Sequence, residues 1–207
     1  MIKNKHNFFV VGFFNWYIEK ILKSDFHRIN YDHDFAFDDN KSVLFICNHF
    51  SWWDGFFTLH LCIHFFKKKF NVMMLEEELK KRILFSYSGV YSIKRKSETV
   101  NESLDYTCEI LSKPDNVVLI FPQGKIESMH LDNFKFEKGI KYVVDHADNF
   151  QLIYAGVFVD YFSRRKPIAN IYMKKIELKE NTSIESLEKE YNINYKNWKK
   201  EQELLTR

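Results

Sequence analysis

A histidine followed five positions later by an aspartate occurs three times in this chain, as His27 with Asp32, His33 with Asp38, and His49 with Asp54. When two such side chains meet, the carboxylate fixes the imidazole tautomer and stabilises the imidazolium, while the other ring nitrogen takes a proton from a substrate. Spacing alone does not bring them together, so the surrounding residues must discriminate. The first two pairs lie in a polar, acidic run, HRINYDHDFAFDD, with no strand-to-helix transition, which reads as a solvated loop or an edge strand. The third follows the apolar run VLFIC and precedes the apolar stretch GFFTLHLCIHFF. Ser51 and Asp54 there form an SxxD pattern, the signature of a capping box that needs no catalysis. That reading leaves His49 unexplained. With His49 at a strand end and Asp54 in the first helical turn, the ring can lie against the carboxylate across a tight turn, and capping and catalysis are compatible.

The elements that would position this pair can be read from periodicity. Period-two or continuous apolar runs predict strands at Ser42–Cys47, Phe70–Leu75, Tyr91–Ile93, Val117–Phe121, Gln151–Val159 and Ile168–Leu178. Val100, Leu104, Cys108 and Leu111 share one face of a helix that ends near Pro114. Strands alternating with helices indicate an α/β fold with a central sheet, parallel or mixed, in which functional residues gather where strands end and helices begin. At 207 residues and 45% hydrophobic content the chain can bury one sizeable core.

Other features set limits. A formal charge of +3, with 28 acidic residues interleaved among the basic ones, does not imply nucleic acid. Cys47, Cys62 and Cys108 lack the pairing of a zinc site or a disulfide framework, which suggests a reducing compartment; Cys47 ends an apolar run and reads as a buried thiol. His60 and His64 stand at i and i+4, a spacing that could hold a metal, but no third ligand is evident, so no metal site is expected. Phe8–Ile18 is too short to span a bilayer and lacks a signal-cleavage site, leaving an interfacial helix or a helix packed on the core. Aromatic residues make up 17% of the chain, a composition compatible with a lipid partner.

The stretch NHFSWWD resembles the first motif, NHxSxxD, of the lysophospholipid and glycerolphosphate acyltransferase superfamily. Three further segments follow in the family's order: GVYSIKR at Gly89 to Arg95, FPQG at Phe121 to Gly124, and FEKG at Phe136 to Gly139, with LIYAGV standing where a fourth motif would be. The resemblance implies a single α/β domain with a central, mixed but mostly parallel sheet flanked by helices. On this reading residues 1–25 form an amphipathic or interfacial helix, 26–180 the acyltransferase domain, and 181–207 a solvated helical appendage. It also implies acyl transfer with His49 and Asp54 as catalytic residues, and substrate contacts from Asn48, Ser51, Arg95, Phe121, Pro122, Gln123, Gly124 and Lys125. The donor would be an acyl thioester of coenzyme A or acyl carrier protein and the acceptor lipid-like. No cofactor is implied, and the setting would be cytoplasmic, peripheral on the inner face of the cell membrane. Gln123, Lys125 and Ile126 replace the glutamate, threonine and arginine of the family's FPEGTR, removing a carboxylate and a bidentate phosphate fork. That departure argues against a glycerol phosphate acceptor. An acyl thioesterase and a silent lipid-binding member of the fold are the alternatives.

Overall fold

Strands that are apolar without interruption need cover on both faces, and the central strands of this chain receive it from helices on each side. A computed structural model describes residues 1–94 and 99–206. The described strands are β1 (Arg28–His33), β2 (Ser42–Cys47), β3 (Lys69–Leu75), β4 (Val90–Ile93), β5 (Asn116–Ile120), β6 (Phe150–Asp160) and β7 (Ile168–Ile176). They form one seven-stranded sheet in the order β1-β7-β6-β2-β5-β3-β4, parallel throughout except where β6 meets β7. The fold is a single α/β domain with a mixed, mostly parallel sheet.

Six α-helices accompany the described strands: α1 (Phe8–Asp25), α2 (Asp54–Leu61), α3 (Glu76–Lys81), α4 (Val100–Leu111), α5 (Gly139–His146) and α6 (Ile184–Glu203). Alternation along β2 shows how they share the sheet. Val43, Phe45 and Cys47 join the core that includes Ile18 and Leu22 of α1 and Phe57 and Leu61 of α2. Leu44 and Ile46 join the opposite core with Leu104 of α4, Ile140 of α5 and Tyr191 of α6. All six residues of β2 are buried, as expected of a central strand with both faces covered.

The polar run at 27–38 contains an edge strand, one of its two sequence readings: β1 pairs only with β7, and most of its residues stay exposed. One segment departs from the sequence reading. The C-terminal stretch is a helix but not a solvated appendage. Its Leu187, Tyr191, Tyr195 and Trp198 are buried against the sheet, and the Tyr191 hydroxyl donates to the Ala155 carbonyl at 2.8 Å. The abundance of Lys, Glu and Asn masks an apolar stripe at helical spacing, so α6 completes the second core.

Helix α1 divides along its length. Ile18 and Leu22 are buried, whereas Phe8, Phe9, Phe13 and Trp16 are 84%, 81%, 56% and 58% exposed. The Asn7 side chain caps the exposed end by accepting from the Phe9 and Val10 amides. The second half of α1 is thus packed on the core, while its first half presents aromatic side chains to solvent.

Candidate active site

β2 lies between β6 and β5 in the middle of the sheet, and the chain leaves it toward β3 on one side while β6 and β7 lie on the other. Crevices at the C-terminal ends of strands around such a reversal are the usual binding places of open α/β sheets. The chain runs from the end of β2 through Asn48 and His49 into a tight turn, and α2 begins at Asp54. This turn closes the five-residue gap: His49 Nδ1 lies 2.7 Å from Asp54 Oδ2.

Asp54 is completely buried, and an ionised carboxylate there needs several donors to offset its lost hydration. It has them. Oδ2 accepts from the amides of Phe50 and Ser51 at 2.8 and 2.9 Å besides facing His49, and Oδ1 accepts from the Ser51 hydroxyl at 3.0 Å. The Ser51 hydroxyl in turn accepts from the Trp53 amide at 3.1 Å. Ser51 is not the N-cap of the helix, as the SxxD pattern suggested: α2 starts at Asp54 with Trp53 as its N-cap, and the Ser51–Asp54 bonds close the turn that precedes it. An acceptor-only carboxylate against Nδ1 sets that nitrogen as the donor and leaves Nε2 as the basic one. No described group is bonded to Nε2. The imidazole is 21% exposed, so this nitrogen stands within reach of a ligand.

A second loop holds His49 from the other side. Phe121, directly after β5, stacks on the imidazole at 3.8 Å between centroids and 10° between planes. The His49 carbonyl accepts from Gln123 Nε2 at 3.2 Å and from the Glu127 amide at 2.8 Å. Gly124 makes the turn between them at a φ of +60°, a left-handed conformation that suits glycine. The Glu137 amide donates to the Pro122 carbonyl, tying the FEKG segment to the FPQG loop.

The structure therefore gives several expected substrate contacts a different place. Asn48 is fully buried and exchanges two hydrogen bonds with the backbone of Val157, clamping the end of β2 to β6. Pro122 and Gln123 are also buried, and Phe121 spends one ring face on His49. The described contacts of these four hold the strand end and the loop around the imidazole. Ser51 serves Asp54, Gly124 shapes the turn, and exposed Lys125 pairs with Glu127 at 2.7 Å. Arg95 lies outside the described residues. Cys47 is a buried thiol; burial first, and the Asp54 charge second, push it well above the ordinary cysteine range, which removes it as a nucleophile.

Sequence reasoning missed the stacking of Phe121 and the part of Glu127. The FPQG match pointed to the right loop, but nothing in it indicated that the loop serves the histidine. Two surface clefts, one lined by Asn30, Asp32 and Phe162 and the other by Met129, His130 and Asp160, contain neither His49 nor Asp54.

A doubly covered sheet with a histidine–carboxylate pair at the C-terminal end of its middle strand defines the class, an open-sheet α/β protein with a candidate site at its strand ends. The model of the Acyltransferase family matches residues 25–159, and the chain belongs to that family. Among solved structures, the 1-acyl-sn-glycerophosphate (LPA) acyltransferase PlsC from Thermotoga maritima is similar at a TM-score of 0.66 and 14% identity, over 95% of this chain and 81% of that one. Comparison with curated protein sequences gave no match.

Proposed function

We propose that the protein moves a fatty acyl group from an acyl thioester to the hydroxyl or amine of a lipid-like acceptor at a membrane surface, with His49 as general base and Asp54 as its partner. The observation that carries this reading is the 2.7 Å contact between His49 Nδ1 and Asp54 Oδ2 at the end of the middle strand, in a chain of the Acyltransferase family. Nε2 takes the proton from the acceptor O–H or N–H as that oxygen or nitrogen attacks the thioester carbonyl. Collapse of the tetrahedral intermediate breaks the carbon–sulfur bond, and the departing thiolate recovers the proton from the imidazolium. Asp54 stabilises the imidazolium in between. The donor is a thioester of coenzyme A or acyl carrier protein, and no covalent enzyme intermediate is required.

The acceptor is argued from the 121–127 loop. Gln123 is sealed in and bonded to the His49 carbonyl, and Lys125 offers a single point charge already paired with Glu127. This loop supplies no bidentate phosphate fork. An acceptor that is lipid-like but does not depend on a glycerol phosphate headgroup fits it better than the lysophosphatidate named for the Thermotoga protein.

Attachment to the membrane is assigned to the aromatic half of α1. Phe13 stacks on Tyr17 with ring centroids 6.0 Å apart, and Lys20 Nζ lies 5.2 Å from the Trp16 ring, an arrangement suited to the boundary between headgroups and acyl chains. Among the described residues no helix is long and apolar enough to cross a membrane, so α1 would lie on the surface. The three free cysteines favour the cytoplasmic face.

The reading is tested by incubating the full chain with labelled acyl-CoA or acyl carrier protein and a panel of lipid extracts. Label appearing in a lipid product supports it. Label released only as free fatty acid would make the protein a thioesterase, and neither outcome with retained lipid binding would make it a binding protein.

A further inference from the structure

Outside the reacting pair, one cluster of three ligating side chains among the described residues joins α1 to α2. His60 and His64 stand one turn apart, where α2 passes into a π-helical turn over Cys62–Phe66. Such turns are uncommon and are found disproportionately at functional sites. Their imidazoles face each other with centroids 4.5 Å apart. From α1, forty-one positions earlier, Glu19 reaches both: Oε1 lies 2.5 Å from His60 Nδ1 and Oε2 3.1 Å from His64 Nε2. The three ligand atoms all lie within 4.8 Å of one another. The third ligand that the i, i+4 histidines lacked in the sequence is thus supplied by the tertiary structure.

Glu19 and His60 side chains are each 17% exposed, while His64 is 45% exposed, so the group opens to solvent on one side. Both histidines address the one carboxylate. A carboxylate held between two imidazoles forms a set of two nitrogens and one oxygen at nearly the spacing a metal needs. Bonds of about 2.0–2.2 Å to a tetrahedral ion place neighbouring ligand atoms roughly 3.3–3.6 Å apart, inside the 4.8 Å that encloses this set.

We infer that Glu19, His60 and His64 form a binding site for one zinc-class divalent transition ion, with a fourth position open to water. Two imidazoles favour a borderline ion such as Zn2+ over Mg2+ or Ca2+, which prefer oxygen donors. The ion is placed to be structural. It clips α1, at the turn where Ile18 and Leu22 enter the core, to the helix whose first residue is Asp54, and it has no part in the proton transfer at His49.

The test uses the full chain without a histidine tag, stripped with chelator and titrated with Co2+ and then Zn2+. One equivalent of Co2+ should give the visible absorption of a four-coordinate ion without thiolate charge-transfer bands, Zn2+ should displace it, and Mg2+ and Ca2+ should not. Glu19→Gln and His64→Asn should each weaken Zn2+ binding about a hundredfold or more, beyond the loss typical of changes around a ligand. His146→Asn, at an exposed position on α5, should leave it unchanged. His64 is exposed enough that its variant keeps the fold, which melting in chelator checks, so a failed Glu19 variant would not end the test. Absence of a one-to-one site, thiolate bands, or unchanged affinity in both variants would overturn the inference. Acyl transfer at His49 is a separate readout and stands or falls independently.

Discussion

The same His–x4–Asp spacing appears at the rim and at the centre of the sheet, with opposite results. At the rim, β1 is extended, and with His27 just before it and Asp32 inside it the two are carried about 17 Å apart along the chain. His33 turns to Phe65, with ring centroids 4.5 Å apart, while Asp38 accepts from the Asn40 amide. Among the described residues neither rim pair forms an ion pair. At the centre, the five residues wrap a strand-to-helix turn and the side chains meet at 2.7 Å. The spacing is permissive, and the turn makes it chemistry. What separates the two regions further is support. His49 is held by Asp54, by the Phe121 ring and by two donors on its carbonyl, whereas the rim histidines have no comparable set.

The comparison can be broken most directly at His49. His49→Ala should lower acyl transfer by roughly 10²–10⁴-fold, the usual worth of a positioned general base, with a smaller loss of stability from the missing Phe121 stack and Asp54 partner. Steady-state assay beside a denaturant melt checks this, and retained activity would remove the mechanism. Asp54→Asn should approach the same loss in rate but also cost about 1–3 kcal/mol of stability. In this fully buried site the amide oxygen can serve the three donors at Oδ2, but the amide nitrogen forces the Ser51 hydroxyl to reverse from donor to acceptor and weakens the hold on His49.

At the periphery the effect is one of area. Replacing Phe9 and Phe13 together with serine should weaken binding to lipid vesicles by at least about a hundredfold, since each ring buried in lipid is worth roughly 1.5–3 kcal/mol. Melting should stay within about 0.5 kcal/mol, because both rings are exposed in the folded protein. Binding should respond weakly to salt, unlike that of a polybasic anchor. Equal vesicle binding with a much lower melt would place the membrane contact elsewhere, with exposed Trp52 beside the active site the next residue to replace.

Smaller effects sharpen the role of the support. Phe121→Leu keeps apolar cover over His49 but removes the stacked face, and should cost about 0.5–1.5 kcal/mol, up to about tenfold in rate. A change in KM alone would mean that Phe121 touches substrate instead of positioning the base. His33→Ala, the rim counterpart of His49→Ala, should leave the rate unchanged; a loss there would mean that the rim takes part in the reaction.

Much of this molecule was legible before any coordinates. Buried strands announce themselves by uninterrupted apolar runs, so β2 and β5 were placed within about a residue, and VLFIC followed by NHFSWWD located His49 and Asp54 at a strand end and a helix start. Local chemistry of this kind is written in adjacent residues. Sequence alone misjudged α6, whose polar majority hid Tyr191, Tyr195 and Trp198, because composition averages over a helix while burial selects one stripe. It also could not assign the FPQG loop. Whether Gln123 faces a substrate or the His49 carbonyl depends on how the ends of β2 and β5 lie side by side, 74 positions apart in the chain. Glu19 meets His60 and His64 for the same reason, through the packing of α1 on α2. The sequence determined the elements and the pair that share one turn; tertiary structure alone decided every contact between groups that no turn connects, because only folding fixes the distance between them.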